Sequence, residues 1–333
     1  MQPIVQIAIR AARRAGEVIR RQADRLDRIR VEEKAPHDFV SEVDRAAEAA
    51  IVEVIRFAHP DHAILAEEGG LLDPGEGRGG ERWIVDPLDG TTNFLHGFPV
   101  YAVSLAFERR GVLEAGVVYD PTRDELFVAS RGEGALLNDH RIRVAKRFRL
   151  EDALIGTGFP FRDFGRLGAY LEQFRALLPK VAGVRRAGSA ALDLAAVAAG
   201  RLDGFFELGL KPWDMAAGLL LVQEAGGVAQ GFGTADLPPL ESGDVIAANP
   251  RLLEALRALL NPFYEPSGSL GQGRRTLGEE IGAIHTQHEG DRARDEDRRV
   301  GPDQDAHKKG NRKSEQHRAT QHQKGNHDQK GHE

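Results

Sequence analysis

Two aspartates, Asp86 and Asp89, stand three residues apart in the stretch DPLDGTT at residues 86–92. An apolar segment at 83–85 precedes them and predicts a buried strand, and the carboxyl ends of such strands are where α/β proteins usually build sites. The two carboxylates and the Leu88 carbonyl oxygen can then face one spot. Because hard oxygen ligands suit Mg²⁺ or Mn²⁺ better than Zn²⁺, this stretch predicts a divalent-cation site.

The end of the same stretch is typical of a phosphate site. Gly90, Thr91 and Thr92 can open a short helix whose free N–H groups attract an anion. Cations beside an anion site indicate phosphoryl chemistry. The alternative is that the stretch is only an Asp-Pro…Asp-Gly turn that caps a helix.

Two further carboxylates are candidate cation ligands. Glu67, followed by Glu68, closes a predicted strand at 62–66, and Asp214 lies in the first turn of a predicted helix at 213–225. Taken alone, Glu67 fits an exposed loop and Asp214 fits an acidic residue that favours the helix dipole. Combined with the two aspartates above, both become candidate ligands.

Two other segments are candidates for substrate contacts. Gly188, Ser189 and Ala190 open an alanine-rich helix, and their simplest role is to cap it. Glu207 ends a predicted strand at 204–207, where it can either accept hydrogen bonds from a polyol or lie on the surface.

These residues need a scaffold of alternating elements. Apolar periodicity predicts helices over 4–26, 41–58, 165–178, 190–199, 213–225 and 251–260. Alternating strands over 100–107, 113–119, 125–129 and 134–137 predict an antiparallel meander, and further strands are predicted at 154–157, 204–207 and 245–247. The pattern changes near residue 150. It predicts an α+β half over 1–150 that binds metal and phosphate, and an α/β half over 151–264 that binds substrate.

Composition excludes several classes of protein. The 333 residues include no cysteine, which rules out disulfides, thiolate metal sites and a cysteine nucleophile. No apolar run approaches the roughly 20 residues of a membrane span, and arginines within the first twenty residues interrupt any secretory segment. The net charge of −6 does not favour nucleic-acid binding. We therefore expect a cytoplasmic protein that contacts neither membrane nor nucleic acid.

The residues from 265 to 333 differ from the rest of the chain. They hold thirteen acidic and thirteen basic residues, seven histidines and only nine apolar residues. Such a composition buries too little apolar surface to offset the entropy of an ordered chain. We predict a disordered polar tail.

Together the motifs resemble those of the inositol monophosphatase family, the Mg²⁺-dependent and lithium-sensitive sugar phosphatases, and in particular its bacterial members. The resemblance covers roughly residues 1–264. It rests on Glu67-Glu68, on WIVDPLDGTTNFLHGFP at 83–99 and on GSAALDLAAVAAGRLDGFFELGLKPWDMAAG at 188–218, which occur in the family's order and spacing. Asp139 departs from the family's usual glycine, in a turn where aspartate is tolerated. The resemblance implies a layered αβαβα sandwich and a homodimer.

The resemblance also implies roles for individual residues. Two or three Mg²⁺ ions, or Mn²⁺, would be bound by Glu67, Asp86, the Leu88 carbonyl, Asp89 and Asp214. Glu67 and Thr91, with Thr91 hydrogen-bonded to Asp44, would activate the attacking water. Phosphate would meet Gly90, Thr91 and Thr92. The substrate ring would meet Asp89, Gly188, Ser189, Ala190, Glu207 and Asp214, and Lys34 would lie in a mobile loop near a third ion.

The implied reaction is hydrolysis of myo-inositol monophosphate to inositol and phosphate. Related sugar and histidinol phosphates are alternative substrates. Nucleotides would need base contacts, and no aromatic cluster for them is evident in the sequence. A protein from another class, a regulatory binding partner with weak or no catalysis, is also possible in principle, although carboxylates at every expected metal position count against it.

Overall fold

The structure is a computed structural model and describes residues 2–35, 38–73, 80–161, 163–233 and 237–266. Contacts divide the chain into residues 1–288 and 289–333, and every described residue belongs to the first of these units. The prediction of a disordered tail at 265–333 therefore lies outside the described residues, apart from Glu265 and Pro266.

The described helices are α1 (Pro3–Ala23), α2 (Glu42–Ala58), α3 (Thr91–Leu95), α4 (Leu167–Leu177), α5 (Ala190–Ala198), α6 (Pro212–Glu224), α7 (Pro239–Ser242) and α8 (Pro250–Leu260). The strands are β1 (Val31–Ala35), β2 (Asp38–Ser41), β3 (Ala63–Ala66), β4 (Gly70–Leu72), β5 (Glu81–Asp89), β6 (Ala102–Arg109), β7 (Val112–Asp120), β8 (Glu125–Ser130), β9 (Gly134–Leu137), β10 (His140–Arg141), β11 (Leu154–Thr157), β12 (Gly183–Arg185), β13 (Gly204–Glu207), β14 (Val228–Gln230) and β15 (Val245–Ala248). The periodicity thus located the main helices and the meander within a few residues.

Two sheets form the body of the molecule. The larger has eight strands in the order β10-β9-β8-β7-β6-β5-β3-β4, and the smaller has five in the order β12-β11-β13-β15-β14. Both are mixed: β3 runs parallel to β5, and β11 runs parallel to β12 and β13, while the other pairs are antiparallel. The predicted meander corresponds to the antiparallel strands β6 to β9.

The sheets and helices stack in five layers. Helices α1 and α2 cover one face of the larger sheet, α5 and α6 lie between the two sheets, and α4 and α8 cover the outer face of the smaller sheet. Both faces of the larger sheet are consequently buried. On β6, Ala106 packs toward α6 whereas Val103 and Phe107 pack toward α1 and α2. This arrangement confirms the αβαβα sandwich.

Residues from both sides of position 150 share the central core. Ile84 on β5 and Phe127 on β8 belong to the same apolar cluster as Leu194 on α5 and Leu221 on α6. The two predicted halves differ in construction, but they bury apolar surface against each other. None of the helices among the described residues is long and apolar enough to cross a lipid bilayer.

The turn at Asn138 and Asp139 shows why aspartate is tolerated there. It connects β9 to β10, with Leu137 paired to His140, and both central residues have positive φ, 45° and 66°. A two-residue hairpin turn of this kind needs positive φ at both positions, and Asn and Asp adopt it more readily than other non-glycine residues.

Candidate active site

One cavity of about 360 Å³ contains every predicted cation-ligand and substrate-contact residue. It lies where the carboxyl end of β5 meets the first turns of α5 and α6 and the end of β13. The predicted residues on its wall are Glu67, Asp86, Leu88, Asp89, Gly90, Thr91, Thr92, Gly188, Ser189, Ala190, Glu207 and Asp214. Asp44 is fully buried behind this wall. Lys34 lies on β1, but its side chain is outside the described part of the structure.

A bulge in β5 presents the first aspartates. The sequence predicts a strand that stops at Val85, but β5 continues to Asp89. Asp86 pairs with Ser104 and Asp89 with Ala102, so the bulged strand has one residue more than its partner between these pairs. The Leu88 N–H donates to Asp86 Oδ1 at 3.0 Å, which fixes the turn of the chain within the bulge. The strand prediction was therefore too short, because a bulge lets the ladder continue through Asp-Pro.

Glu67 reaches the same edge of the sheet from the neighbouring strand. It follows β3, which is parallel to β5, and its N–H donates to the Val85 carbonyl at 3.1 Å. The next residue is held from α2, since the Glu68 N–H donates to Glu48 Oε2 at 2.9 Å. Parallel strands end at one edge of a sheet, and this explains why two acidic motifs about twenty residues apart line one cavity.

Gly90 starts α3 in a conformation that suits glycine. Its φ is +98°, and a Cβ at this position would lie 2.9 Å from the Val100 carbonyl oxygen. Thr91 follows, and its Oγ1 lies 2.7 Å from Asp44 Oδ1 and 3.0 Å from the Leu88 carbonyl oxygen. Both partners are acceptors, so the hydroxyl hydrogen is donated toward them, and chiefly to the closer carboxylate.

The other carboxylates are oriented by backbone N–H groups at helix starts. Asp89 Oδ2 accepts hydrogen bonds from Ser189 Oγ at 2.6 Å and from the Ala191 N–H at 2.8 Å. Asp214 Oδ2 accepts from the Lys211 N–H at 2.7 Å. Ser189 also caps α5 through the Leu192 N–H, as the sequence predicted.

The carboxylates strongly affect one another's protonation. Burial, together with the charges of Glu67, Asp89 and Asp214, raises the pKa of Asp86 well above its ordinary value. Burial and the charge of Asp214 raise the pKa of Asp89 from 3.8 to about 7, against hydrogen bonds that lower it. A cluster of this kind is electrostatically unfavourable when ionised, unless positive charge neutralises it.

A divalent cation fits this need. The donors are carboxylate and carbonyl oxygens, the hard ligands that Mg²⁺ prefers, and no cysteine is present to recruit softer metals. Among the described residues, however, no three Asp, Glu or His side chains converge to metal-ligand distances as they stand. The backbone nevertheless places these carboxylates around one cavity.

The cavity wall that contains Glu207 also has a feature that the sequence reading missed. Phe159 and Phe161 line the wall and are 39% and 43% exposed, and the Arg186 guanidinium carbon lies 5.2 Å and 5.0 Å from their ring centroids. The sequence showed no evident aromatic cluster for base contacts, whereas the structure brings these two rings together beside Arg186. Both rings directly follow β11, which is parallel to β13, and the position of GFPF at a strand's carboxyl end was the available signal.

Glu207 is half-buried in the same wall. A Cβ on Gly158 would overlap its carboxylate, so the missing side chain of Gly158 leaves the space that Glu207 fills. Burial, followed by the charges of Asp193 and Asp214, raises the pKa of Glu207 well above its ordinary value. Asp193, on α5, is 4% exposed, and burial also raises its pKa; sequence reasoning did not identify it. Glu207 therefore lines the cavity, which counts against the surface-charge alternative.

The comparisons with known proteins agree with this geometry. The model of the inositol monophosphatase family matches residues 1–262. A Pseudomonas aeruginosa protein named Nus factor SuhB is 55% identical over 270 residues, which are 80% of this chain and 99% of that protein.

Solved structures give the same result. The extragenic suppressor protein suhB from Bartonella henselae is 44% identical, with a TM-score of 0.74 over 78% of this chain and 98% of that one. An inositol monophosphatase from Anabaena is 38% identical, with a TM-score of 0.68 over 80% of this chain and 98% of that one. A family match over most of the sequence, close relatives and a shared fold lead to one conclusion: this chain belongs to the inositol monophosphatase family.

Proposed function

We propose that the chain is a Mg²⁺-dependent phosphomonoesterase that hydrolyses myo-inositol monophosphate. The observation that carries the proposal is the single cavity that combines Glu67, Asp86, Asp89 and Asp214 with the Gly90–Thr92 turn and with Glu207. Membership of the inositol monophosphatase family supports phosphatase activity and metal dependence.

In this proposal, Glu67, Asp86, the Leu88 carbonyl, Asp89 and Asp214 hold two or three Mg²⁺ ions. Bound Mg²⁺ supplies positive charge that lowers the pKa of the attacking water and stabilises the leaving oxygen in an in-line displacement. The backbone N–H groups of Leu88, Ala191 and Lys211 donate hydrogen bonds to three of these carboxylates. These bonds keep the carboxylates oriented around one cavity.

The chain's own groups handle the proton of the attacking water. Because Thr91 Oγ1 donates its hydrogen toward Asp44, its remaining lone pair can accept a hydrogen bond from water in the cavity. Asp44 is the final proton acceptor in this arrangement, and Glu67 is the second group that orients the water. Gly90, Thr91 and Thr92 contact the phosphate.

The leaving group faces the other wall. Gly188, Ser189, Ala190 and Glu207 lie beside Asp89 and Asp214 on the cavity surface, and there they meet the ring hydroxyls in this proposal. With its raised pKa, Glu207 can both donate and accept hydrogen bonds when protonated, which suits a polyol.

Turnover assays test the proposal. The purified chain should release phosphate from myo-inositol 1-phosphate with Mg²⁺ and lose this activity in EDTA. The substrate panel should include sugar and histidinol phosphates and, because of Phe159 and Phe161, a nucleoside monophosphate. Asp86→Asn should lose the activity, and Asp120→Asn is its matched control. Asp120 is a buried aspartate that caps a turn through Thr122 and Arg123 and does not line the cavity. A chain that hydrolyses none of these esters with Mg²⁺ or Mn²⁺ contradicts the proposal.

A second candidate function is that of a Nus factor, the name borne by the Pseudomonas relative at 55% identity. A Nus factor would correspond to the regulatory binding partner that the sequence analysis gave as an alternative. It also bears on the expectation that the chain contacts no nucleic acid. Gel filtration with purified RNA polymerase and with RNA tests it. The catalytically impaired Asp86→Asn variant should bind as the unaltered chain does if the two functions are separate.

Three further expectations belong to the same proposal: a homodimer, inhibition by lithium, and a cytoplasmic location. Sedimentation measures the first, and Mg²⁺-dependent turnover in LiCl, with NaCl as control, measures the second. Fractionation of cells that produce the chain measures the third.

A further inference from the structure

A buried ion pair lies outside the cavity, on the side of the smaller sheet. Arg166 and Asp244 are 4% and 0% exposed. They form two hydrogen bonds, from Arg166 Nη1 to Asp244 Oδ1 at 2.7 Å and from Nη2 to Oδ2 at 2.8 Å. Arg166 precedes α4 and Asp244 precedes β15. The two charges neutralise each other with a geometry that fixes the carboxylate plane.

The same carboxylate binds two other segments. The Gly209 N–H donates to Asp244 Oδ1 at 2.9 Å, and the Tyr264 hydroxyl donates to Oδ2 at 2.8 Å. Arg166 also lies against the Tyr264 ring, 5.6 Å from its centroid, and its Nε donates to the Glu265 carbonyl at 3.1 Å. Asp244 thus joins the start of α4, the residues after α8 and the loop that follows β13.

That loop is part of the cavity wall. Leu208, Gly209 and Leu210 line the cavity between Glu207 and Asp214. The Leu210 N–H donates to the Gly243 carbonyl at 2.7 Å, and the Lys211 N–H donates to Asp214 Oδ2 at 2.7 Å. The segment from Gly209 to Lys211 therefore donates a hydrogen bond to Asp244 at its start and another to Asp214, a candidate cation ligand, at its end.

We propose that Asp244, held by Arg166 and Tyr264, is a positioning residue for the candidate active site. It sets the loop at residues 208–211 and, through the loop, the orientation of Asp214. Because this ion pair is buried, water does not compete for its hydrogen bonds. The carboxylate therefore holds the Gly209 N–H in one place. This inference rests on the proposed function and deepens it, since it assigns a support to the same site.

Two triple variants test the hydrogen bond that the Gly209 N–H donates to the side chain at position 244. Arg166→Gln/Asp244→Asn/Tyr264→Phe removes both charges but keeps an amide oxygen that can accept from Gly209. Arg166→Leu/Asp244→Leu/Tyr264→Phe also removes both charges, so no buried ion is left unpaired, but it offers no acceptor. Loss of one such bond corresponds to about 1 kcal/mol, or roughly fivefold in affinity. We expect the leucine variant to bind Mn²⁺ about fivefold more weakly than the asparagine variant, as measured by electron paramagnetic resonance of free Mn²⁺.

A pair of glycine variants tests the same idea without changing the ion pair. Gly243 and Gly132 both have φ of +75°, so alanine introduces a similar backbone strain at each. At Gly243 the added Cβ would lie 2.8 Å from the Leu210 carbonyl oxygen, whereas at Gly132 it meets nothing within 4 Å. Gly243→Ala should weaken Mn²⁺ binding and raise the KM for inositol 1-phosphate by at least about threefold. Gly132→Ala should change neither by more than about 1.5-fold, and it should lose less thermal stability, since it introduces the strained φ without the clash.

The outcomes separate this inference from the proposed function. If the unaltered chain binds Mn²⁺ but hydrolyses no phosphate ester, the proposed function fails, while the Mn²⁺ affinities still decide the role of Asp244. Equal Mn²⁺ affinities within each pair would overturn the positioning role, even where melting temperatures differ. A chain that binds no Mn²⁺ would overturn both the proposed function and the positioning role of Asp244.

Discussion

Thr91 Oγ1 and Asp44 Oδ1 lie 2.7 Å apart, although 47 positions separate the two residues in the chain. Asp44 is held from its other side, since its Oδ2 accepts from the Ser41 N–H at 2.9 Å and from Ser41 Oγ at 2.6 Å. The same carboxylate therefore caps α2 and receives the threonine hydroxyl. An acceptor anchored in this way has one orientation, which is what a proton relay at the cavity needs.

This relationship predicts the effect of removing the hydroxyl. Thr91→Val keeps the shape of the side chain but cannot accept a hydrogen bond from water or pass its proton to Asp44. General-base assistance typically contributes a factor of at least about 100, so kcat should fall by about that much. Thr91→Ser is the matched control, because it keeps the hydroxyl, and it should remain within about tenfold of the unaltered chain. A kcat for Thr91→Val equal to that of Thr91→Ser would show that Asp44 only caps α2.

A second prediction concerns the cation ligands. Asp86→Asn preserves the size of the side chain but removes a negative charge that the proposed cations would share. We expect phosphate release at saturating Mg²⁺ to fall by two to three orders of magnitude, about the loss seen when a charged group that stabilises a transition state is removed. The folded state should persist by circular dichroism. More than a tenth of the original activity would count decisively against the assignment of Asp86.

The raised pKa values predict how stability depends on pH. The pKa of Asp89 is about 7 in the folded protein, above its ordinary 3.8, and Asp86 is shifted in the same direction. The folded state thus binds these protons more tightly than the unfolded state. For Asp89, this stabilising contribution is complete below about pH 4 and is lost as the pH rises through about 7.

Urea unfolding in EDTA measures this dependence. The contribution of Asp89 should make the free energy of unfolding fall between pH 4.5 and pH 7.5, and Asp89→Asn should flatten that fall. Mg²⁺ should restore stability mainly at the higher pH, since it binds the ionised carboxylates of the folded state. If Asp89→Asn leaves the slope unchanged, the carboxylate cluster does not set the pH dependence.

A fourth prediction separates substrate recognition from chemistry at Glu207. Glu207→Ala should lower kcat/KM for inositol 1-phosphate by about tenfold to 150-fold, the range expected for one hydrogen bond to a charged or strongly polar group. Glu207→Gln should lose less, because an amide resembles the protonated acid that the raised pKa favours. p-Nitrophenyl phosphate has no ring hydroxyls, so its hydrolysis should change little. An equal loss with both substrates would place Glu207 in the support of the cation site instead.

The last prediction concerns truncation. A chain that ends at Pro266 keeps the Tyr264 hydroxyl and the Glu265 carbonyl that bind Asp244 and Arg166. We expect it to melt cooperatively and to turn over substrate within about threefold of the full chain, because the composition of 267–333 supports no packed core. A chain that ends at Phe263 should melt at a lower temperature, since it also loses the stacking of Tyr264 on Phe232. If the Pro266 truncation no longer unfolds cooperatively, the removed residues contribute to the fold.

The sequence by itself determined the elements and much of the cavity. Apolar periodicity located α2, α5 and α6 within a residue or two, because burial on one side of a helix must repeat every 3.6 residues. It also placed Glu207 at a strand end and Asp214 in a first helical turn, and it placed Asp86 and Asp89 at the carboxyl end of a strand, although that strand continues to Asp89. Each of these positions follows from the residues next to it. Local patterns are enough for such positions.

Only the tertiary structure decided which distant groups meet. The order β12-β11-β13-β15-β14 brings Phe159 beside Glu207 and Asp244 beside Gly209, and the packing of α2 on β5 brings Asp44 to Thr91 and Glu48 to Glu68. No periodicity carries this information, because the order of strands in a sheet depends on how both faces are covered by helices. The positions of these supporting residues, and of Phe159 and Phe161 on the cavity wall, therefore could not be predicted from the sequence. The acidic residues that line the cavity belong to motifs that the sequence does show.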